Sequence, residues 1–253
     1  MNTPLHSDAL VIFGATGDLV FKDVFPALQA MIRRGVLNVP VICVARSEWT
    51  LDRLRARVKD SLEHHGDFNQ SAYAQLVSLL HYVHGNYADG ATFDALCREL
   101  GEAKRPLYYL AIPPSAFSQV VSGLGKSGCA REARVVLEKP FGRNLASARA
   151  LNQTLLQIFP ESRIFRIDHY LGKEPVLNLM YFRFANLLPE TMLNRDHVEN
   201  VQIIMAEDFG VRGAGQILRR NRRHSRRYSK PHFTTDFDPC HGCTGGTRYR
   251  GNP

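Results

Sequence analysis

The stretch RIDHYLGKE, residues 166–174, brings Asp168, His169, Tyr170 and Lys173 close together in the chain. Imidazole, phenol and ammonium groups at this spacing can converge as donors on an anionic phosphate. An aspartate directly before the histidine can pair with a separate imidazole. The same residues also read as the salt-bridged start of a helix, and their types and spacing leave both readings open.

A second chemical feature stands near the N-terminus, where GATGDL (residues 14–19) follows the apolar run ALVIF. Glycines at a strand-to-helix turn let backbone N–H groups approach a pyrophosphate, and the helix N-terminus favours the anion. Only two glycines are present, in G-x-x-G spacing, so an ordinary tight turn fits as well. At the end of the second apolar run stands Arg46, where an acidic residue suits a ribose 2′-hydroxyl and an arginine suits a 2′-phosphate. A solvated surface arginine is the plainer alternative.

The elements that must position these groups follow from apolar patterning. Residues 9–14, 40–45, 108–112 and 133–137 are short apolar runs of the kind buried in a parallel sheet. Residues 23–34, 50–65 and 115–124 carry apolar side chains at helical spacing, with Thr50 as an N-cap. Strands alternating with helices predict an α/β fold with a doubly wound parallel sheet. Beyond about residue 175 the texture changes, and residues 198–206 read as a strand of a different domain. From residue 216 onward no apolar face persists at either period.

Bulk properties bound the function. The chain has 253 residues, 44% hydrophobic and 22% charged, as in ordinary globular domains. No apolar run has membrane-spanning length, and the first residues lack the layout of a signal peptide. Cys43, Cys97 and Cys129 are scattered singly, which predicts reduced thiols and a cytoplasmic location rather than a disulfide framework. The net charge is +8, yet 22 Lys and Arg balance 22 Asp and Glu up to Val211. The remaining residues hold 10 against 2, so the whole excess belongs to the tail. A nucleic-acid-binding arm is one reading of that tail. A zinc half-site at Cys240 and Cys243, with His224, His232 and His241 nearby, is another.

GATGDL, EKPFG (residues 138–142) and RIDHYLGKE, in this order, resemble the glucose-6-phosphate dehydrogenase family. The resemblance also takes in YLAIPP, RFAN, NRDHV and AEDFG, runs from about residue 9 to residue 215, and then stops. It implies a Rossmann-type NADP-binding domain over residues 1–175 and the start of a truncated α+β substrate and dimerisation domain over 176–215. Residues 216–253 would be an aberrant basic tail. By this resemblance Gly14, Ala15, Thr16, Gly17, Asp18, Leu19, Val20, Phe21 and Arg46 bind NADP. Lys139 lies between cofactor and sugar phosphate, with a cis bond to Pro140. His169, Tyr170 and Lys173 hold the 6-phosphate of glucose 6-phosphate, and Glu207 binds sugar hydroxyls. Asp168 orients a histidine base. The implied partner is glucose 6-phosphate, with no nucleic acid, no membrane and no metal, in a homo-oligomer most of whose dimer domain is missing here. One departure is Asp23, where the family has a lysine; a carboxylate there is expected to weaken binding of anionic ligands.

The base itself belongs to a later family motif, Y-D-x-x-G-x-I-R-D-x-x-Q-N-H, which this chain lacks. Arg226 and Pro231 stand where the sugar-binding aspartate and the histidine are expected. Back-translation of QILRRNRRHSRRYSKPHF, read one nucleotide further on, permits KFYDETGAIRDVIQNHIL, which contains the motif in register. A frameshift near residues 213–216 therefore accounts for the arginine run, and it predicts a chain with little or no turnover.

Overall fold

A computed structural model describes residues 6–142, 144–168, 172–194 and 196–200. The chain divides into two units, Met1–Asp168 and His169–Pro253.

Six strands of the first unit form one sheet in the order β3-β2-β1-β4-β5-β6. They are β1 (Ala9–Phe13), β2 (Val41–Ala45), β3 (Leu80–His84), β4 (Pro106–Leu110), β5 (Arg134–Leu137) and β6 (Ile164–Arg166), all paired in parallel. This is the doubly wound order of dinucleotide-binding folds. The chain winds outward from β1 to β3, then returns to β1's other side at β4, so the strand order reverses between β1 and β4. Parallel strands need crossovers, and helices supply most of them. Those crossovers contain α1 (Phe25–Arg33), α2 (Leu51–His65), α3 (Gln70–Leu79), α4 (Gly90–Leu100), α5 (Phe117–Ser127) and α6 (Leu145–Leu156).

Successive strand side chains point to opposite faces, so the central strands feed two cores at once. Val11 and Phe13 join Ile42, Val44, Tyr108 and Leu110 beneath Phe93, Leu96, Phe117, Val120, Leu124, Leu151 and Leu155 of α4, α5 and α6. Ile12, Val41 and Cys43 pack on the other face against Phe25, Leu28, Ile32, Leu54, Val58, Leu62 and Leu76 of α1, α2 and α3. Each fully buried large side chain contributes about 1.5–3 kcal/mol relative to exposure. Cover on both faces explains why β2 reads as an unbroken apolar run with all five residues buried.

The sequence-predicted strand at 40–45 and helix at 50–65 match β2 and α2, and the Thr50 hydroxyl accepts the Arg53 N–H at 3.3 Å. Other boundaries shift. The helix expected at 23–34 begins as a π-turn, Val20–Val24, before α1, with Pro26 in the first α-helical turn where its missing N–H costs nothing. The helix expected at 115–124 is α5, which starts after a 3-10 turn at Pro114–Ala116 and runs to Ser127. The strand expected at 108–112 is Pro106–Leu110, because Pro106 and Leu107 already pair with Ala9 and Leu10 and the paired register closes at Phe13 and Leu110.

The reduced state expected for all scattered cysteines is corrected: Cys97 and Cys129 form a disulfide, their Cα atoms 5.9 Å apart. They are 32 residues apart in sequence. Packing of α4 on α5 brings them together, and periodicity does not report such contacts. Cys43 is free, and burial pushes its thiol up to about 12.

In the second unit the described elements are α7 (Glu174–Phe184) and α8 (Leu187–Met192). Most of the strand expected at 198–206, and everything proposed for the basic tail, lies outside the described residues. Among the described residues no helix is long and apolar enough to cross a membrane.

Candidate functional site

All six strands point their carboxyl ends the same way, so the segments that follow them gather along one edge of the sheet. The turn after β1 lies at that edge. Gly14 has φ +80°, and a Cβ there would meet the Ala111 carbonyl oxygen at 2.2 Å. Only glycine lets this turn pass so close to the end of β4. Gly14 N–H donates to the Val44 carbonyl at 2.9 Å and to the Tyr87 hydroxyl at 3.0 Å, and Gly17 N–H donates to the Gly14 carbonyl at 2.9 Å. The run predicted to bind cofactor divides by burial. Ala15 and Val20 are buried and belong to the core, whereas Gly17, Asp18 and Leu19 are exposed and Thr16 is half-buried. Phe21 is also half-buried, its ring capped by the Arg57 guanidinium at 4.0 Å and met edge-on by His65 at 5.3 Å.

The end of β2 contributes Arg46, Ser47 and Trp49. Arg46 is exposed, with its guanidinium carbon 6.0 Å from the centroid of the Tyr87 ring. The Thr16 and Ser47 hydroxyls lie 3.1 Å apart, tying the glycine turn to the segment after β2. The Tyr82 hydroxyl donates to the Ser47 carbonyl at 2.5 Å, and burial above all pushes that phenol up to about 12.

Glu138 and Lys139 follow β5. Glu138 accepts a 2.7 Å hydrogen bond from the Tyr109 hydroxyl. Burial first, then the Glu138 carboxylate, pushes the Tyr109 phenol up, with Asp23 adding a smaller effect in the same direction. Asp23 itself is exposed in the π-turn. The Lys139–Pro140 bond is cis, as expected. Lys139 Nζ lies 2.9 Å from Asp168 Oδ1, both side chains roughly 40% exposed at 35% and 43%. Ile167 N–H donates to the Leu137 carbonyl at 2.9 Å, so the backbone that carries Asp168 is pinned beside the end of β5.

The first unit thus brings together Gly14–Asp18 of the turn, Arg46, Lys139 and Asp168. Asp168, expected to orient an imidazole, has the Lys139 ammonium as a partner. Lys173 is the N-cap residue of α7, in the second unit. His169, Tyr170, Glu207, Arg226, Pro231 and the cysteines Cys240 and Cys243 lie outside the described residues. Tyr87, Tyr109 and Ser47 reach the site without having been singled out from the sequence. Tyr109 was hidden inside an apolar strand, and Tyr87 carried no local pattern at all.

A parallel sheet with a glycine turn after its first strand, an arginine after its second and a lysine after its fifth defines a nicotinamide-dinucleotide-binding domain of an oxidoreductase. The family model for the NAD-binding domain of glucose-6-phosphate dehydrogenase matches residues 11–178. The chain belongs to the glucose-6-phosphate dehydrogenase family. It is 40% identical over 211 residues to glucose-6-phosphate 1-dehydrogenase 1 of Mycobacterium tuberculosis, covering 83% of this chain and 45% of the relative. It is 37% identical over 226 residues to the cytoplasmic isoform of Solanum tuberosum, covering 82% and 44%. The crystal structure of the Mycobacterium avium glucose-6-phosphate 1-dehydrogenase superposes with a TM-score of 0.74 at 41% identity, covering 84% of this chain and 47% of that one. A glucose-6-phosphate dehydrogenase in complex with glucose 6-phosphate gives the same TM-score, 0.74, at 35% identity, covering 86% and 48%. The chain therefore spans less than half the length of these relatives. The expected fold class and nicotinamide dinucleotide cofactor agree with this family membership.

Proposed function

We propose that this chain supplies the NADP-binding domain and part of the sugar-phosphate pocket of a cytoplasmic glucose-6-phosphate dehydrogenase. The carrying observation is the Lys139–Asp168 pair, 2.9 Å apart, on the same sheet edge as the glycine turn. In the reaction of the family, bound NADP would supply the hydride acceptor for carbon 1 of glucose 6-phosphate as the sugar is oxidised to the 6-phospholactone.

The residues present fit such a cofactor. Gly14 and Gly17 keep the turn bare of side chains, and the exposed stretch from Gly17 to Leu19 opens a helix N-terminus to a diphosphate. Arg46 stands exposed after β2, where it can take a 2′-phosphate bidentately. Lys139 is assigned the cation between the cofactor and the sugar phosphate, a reading supported by its place after β5 beside Asp168. Asp168 pairs with that ammonium, and the orienting of a base is assigned to it. His169, Tyr170 and Lys173 are assigned to the 6-phosphate and Glu207 to the sugar hydroxyls. Arg226 and Pro231 cannot take a proton from the carbon-1 hydroxyl, so NADP binding without turnover is the behaviour expected of the chain as it stands.

Trp49, the chain's single tryptophan, lies three residues from Arg46 and reports binding by its fluorescence. Titration with NADP should quench it, while incubation with glucose 6-phosphate should yield no NADPH absorbance. Lys139→Ala should weaken glucose 6-phosphate binding at least tenfold (about 1.4 kcal/mol). Its cost in fold stability should stay below about 1 kcal/mol, because the pair is solvent-screened. A chain that binds no NADP would overturn the proposal.

A further inference from the structure

Tyr87 stands in the segment between β3 and α4, 73 residues from the glycine turn, yet it touches both features assigned to the cofactor. Its side chain is buried at 6% exposure, with the ring set edge-on against Phe13, the last residue of β1, at 5.7 Å and 74°. Its hydroxyl accepts the Gly14 N–H at 3.0 Å and faces the Val44 carbonyl at 3.4 Å. It therefore sits on the junction where β1 and β2 end. The ring face carries the Arg46 guanidinium, 6.0 Å from its centroid. That separation is at the outer edge of a cation–π contact, and it restricts a long side chain that is otherwise exposed.

We propose that Tyr87 is a positioning residue for the dinucleotide: its hydroxyl fixes the glycine turn, and its ring holds Arg46 in place to read the 2′-phosphate. The proposal rests on the NADP reading above and adds the residue that links its two halves. The two contacts have separable consequences. The turn serves the diphosphate shared by NADP and NAD, so losing the hydroxyl weakens both equally. Arg46 serves the 2′-phosphate that only NADP carries, so weakening the ring face lowers the NADP-to-NAD preference alone. Burial pushes the phenol up, which keeps the hydroxyl protonated across the working range and available to the Val44 carbonyl.

The test measures dissociation constants of the full chain for NADP and NAD by Trp49 fluorescence, with a thermal midpoint for each variant as a check of folding. Tyr87→Phe keeps the ring and should weaken both ligands about fivefold at an unchanged ratio. Tyr87 replaced by pentafluorophenylalanine keeps the shape and removes the electron-rich face. Relative to Tyr87→Phe it should lower the NADP-to-NAD preference about threefold. Folded variants that bind both dinucleotides as wild type does would overturn the role of Tyr87 and leave the NADP reading standing. A fluorinated ring that weakens both ligands in equal measure would remove the link to Arg46. A wild-type chain that binds no NADP would overturn both proposals together.

Discussion

The sheet unit and helix α7 are both rich in apolar side chains, and they use them differently. In Met1–Asp168 the strands alternate their side chains between two faces, and helices close both faces into dense cores. In α7, with sequence EPVLNLMYFRF, Leu177, Leu179, Met180, Tyr181, Phe182 and Phe184 are 46–68% exposed, and no residue of the helix is buried. The difference lies in arrangement. Apolar residues stabilise a fold when an element directs them to one side, as α5 does with Phe117, Val120, Val121 and Leu124. Consecutive apolar residues around a helix leave several of its sides in water.

Three experiments break or sharpen this contrast, beginning with the largest expected effect. Gly14→Val puts a branched side chain at φ +80° and against the Ala111 carbonyl, where even a Cβ would stand 2.2 Å away. Loss of about 4 kcal/mol of unfolding free energy is expected in a denaturant titration, with NADP binding abolished. A soluble, fully stable variant would show that the turn is not pinned as described.

The second experiment makes the same change in both regions. Phe117 is fully buried, so Phe117→Ala should cost about 3–4 kcal/mol through lost burial and a cavity. Phe182 is 54% exposed, so Phe182→Ala should change stability by less than about 0.5 kcal/mol. Equal losses measured by denaturant midpoints would erase the distinction between the regions.

The mildest effect comes from alkaline pH. Cys43 and Tyr82 ordinarily ionise near 9.0 and 10.0, and in the folded unit both are pushed up to about 12, burial being the leading cause. Their raised values favour the folded state fully below pH 9, where both folded and unfolded chains keep the protons. As pH rises from about 9 to 12 the unfolded chain loses protons that the folded chain retains, so stability falls. Thermal midpoints should decline across that interval, and Cys43→Ser should make the decline begin nearer pH 10 than pH 9. A midpoint that holds level to pH 12 would show that neither group is as enclosed as its surroundings indicate.

Much of the fold was legible because the central strands are surrounded on both faces and print unbroken apolar runs. ALVIF and VICVA leave little choice of structure, and Thr50 marks the start of α2 by a cap that depends only on neighbours. The edge strands escaped detection for a physical reason. β3 is LHYVH with two histidines at a half-covered edge, and β6 has three residues with only Ile164 buried. The places of Gly14 in the turn after β1 and of Arg46 after β2 were readable because each follows directly from an apolar run that marks a strand. The Cys97–Cys129 link and the placement of Tyr87 were not. Each depends on elements distant in sequence that meet only once the sheet has formed. Lys139 and Asp168 were each singled out, but their pairing follows from β5 and β6 lying side by side, which no spacing of 29 residues encodes.

The uniform strand direction has a practical corollary for anyone wishing to attach this molecule to a surface or a reporter. The links joining α1 to β2 and α4 to β4 emerge at the rim remote from the glycine turn, and Val36 in the first is 63% exposed. A graft at residue 36 would leave the rim that carries the glycine turn facing outward, so an immobilised layer of the chain would present the edge proposed to bind the dinucleotide to the passing solution.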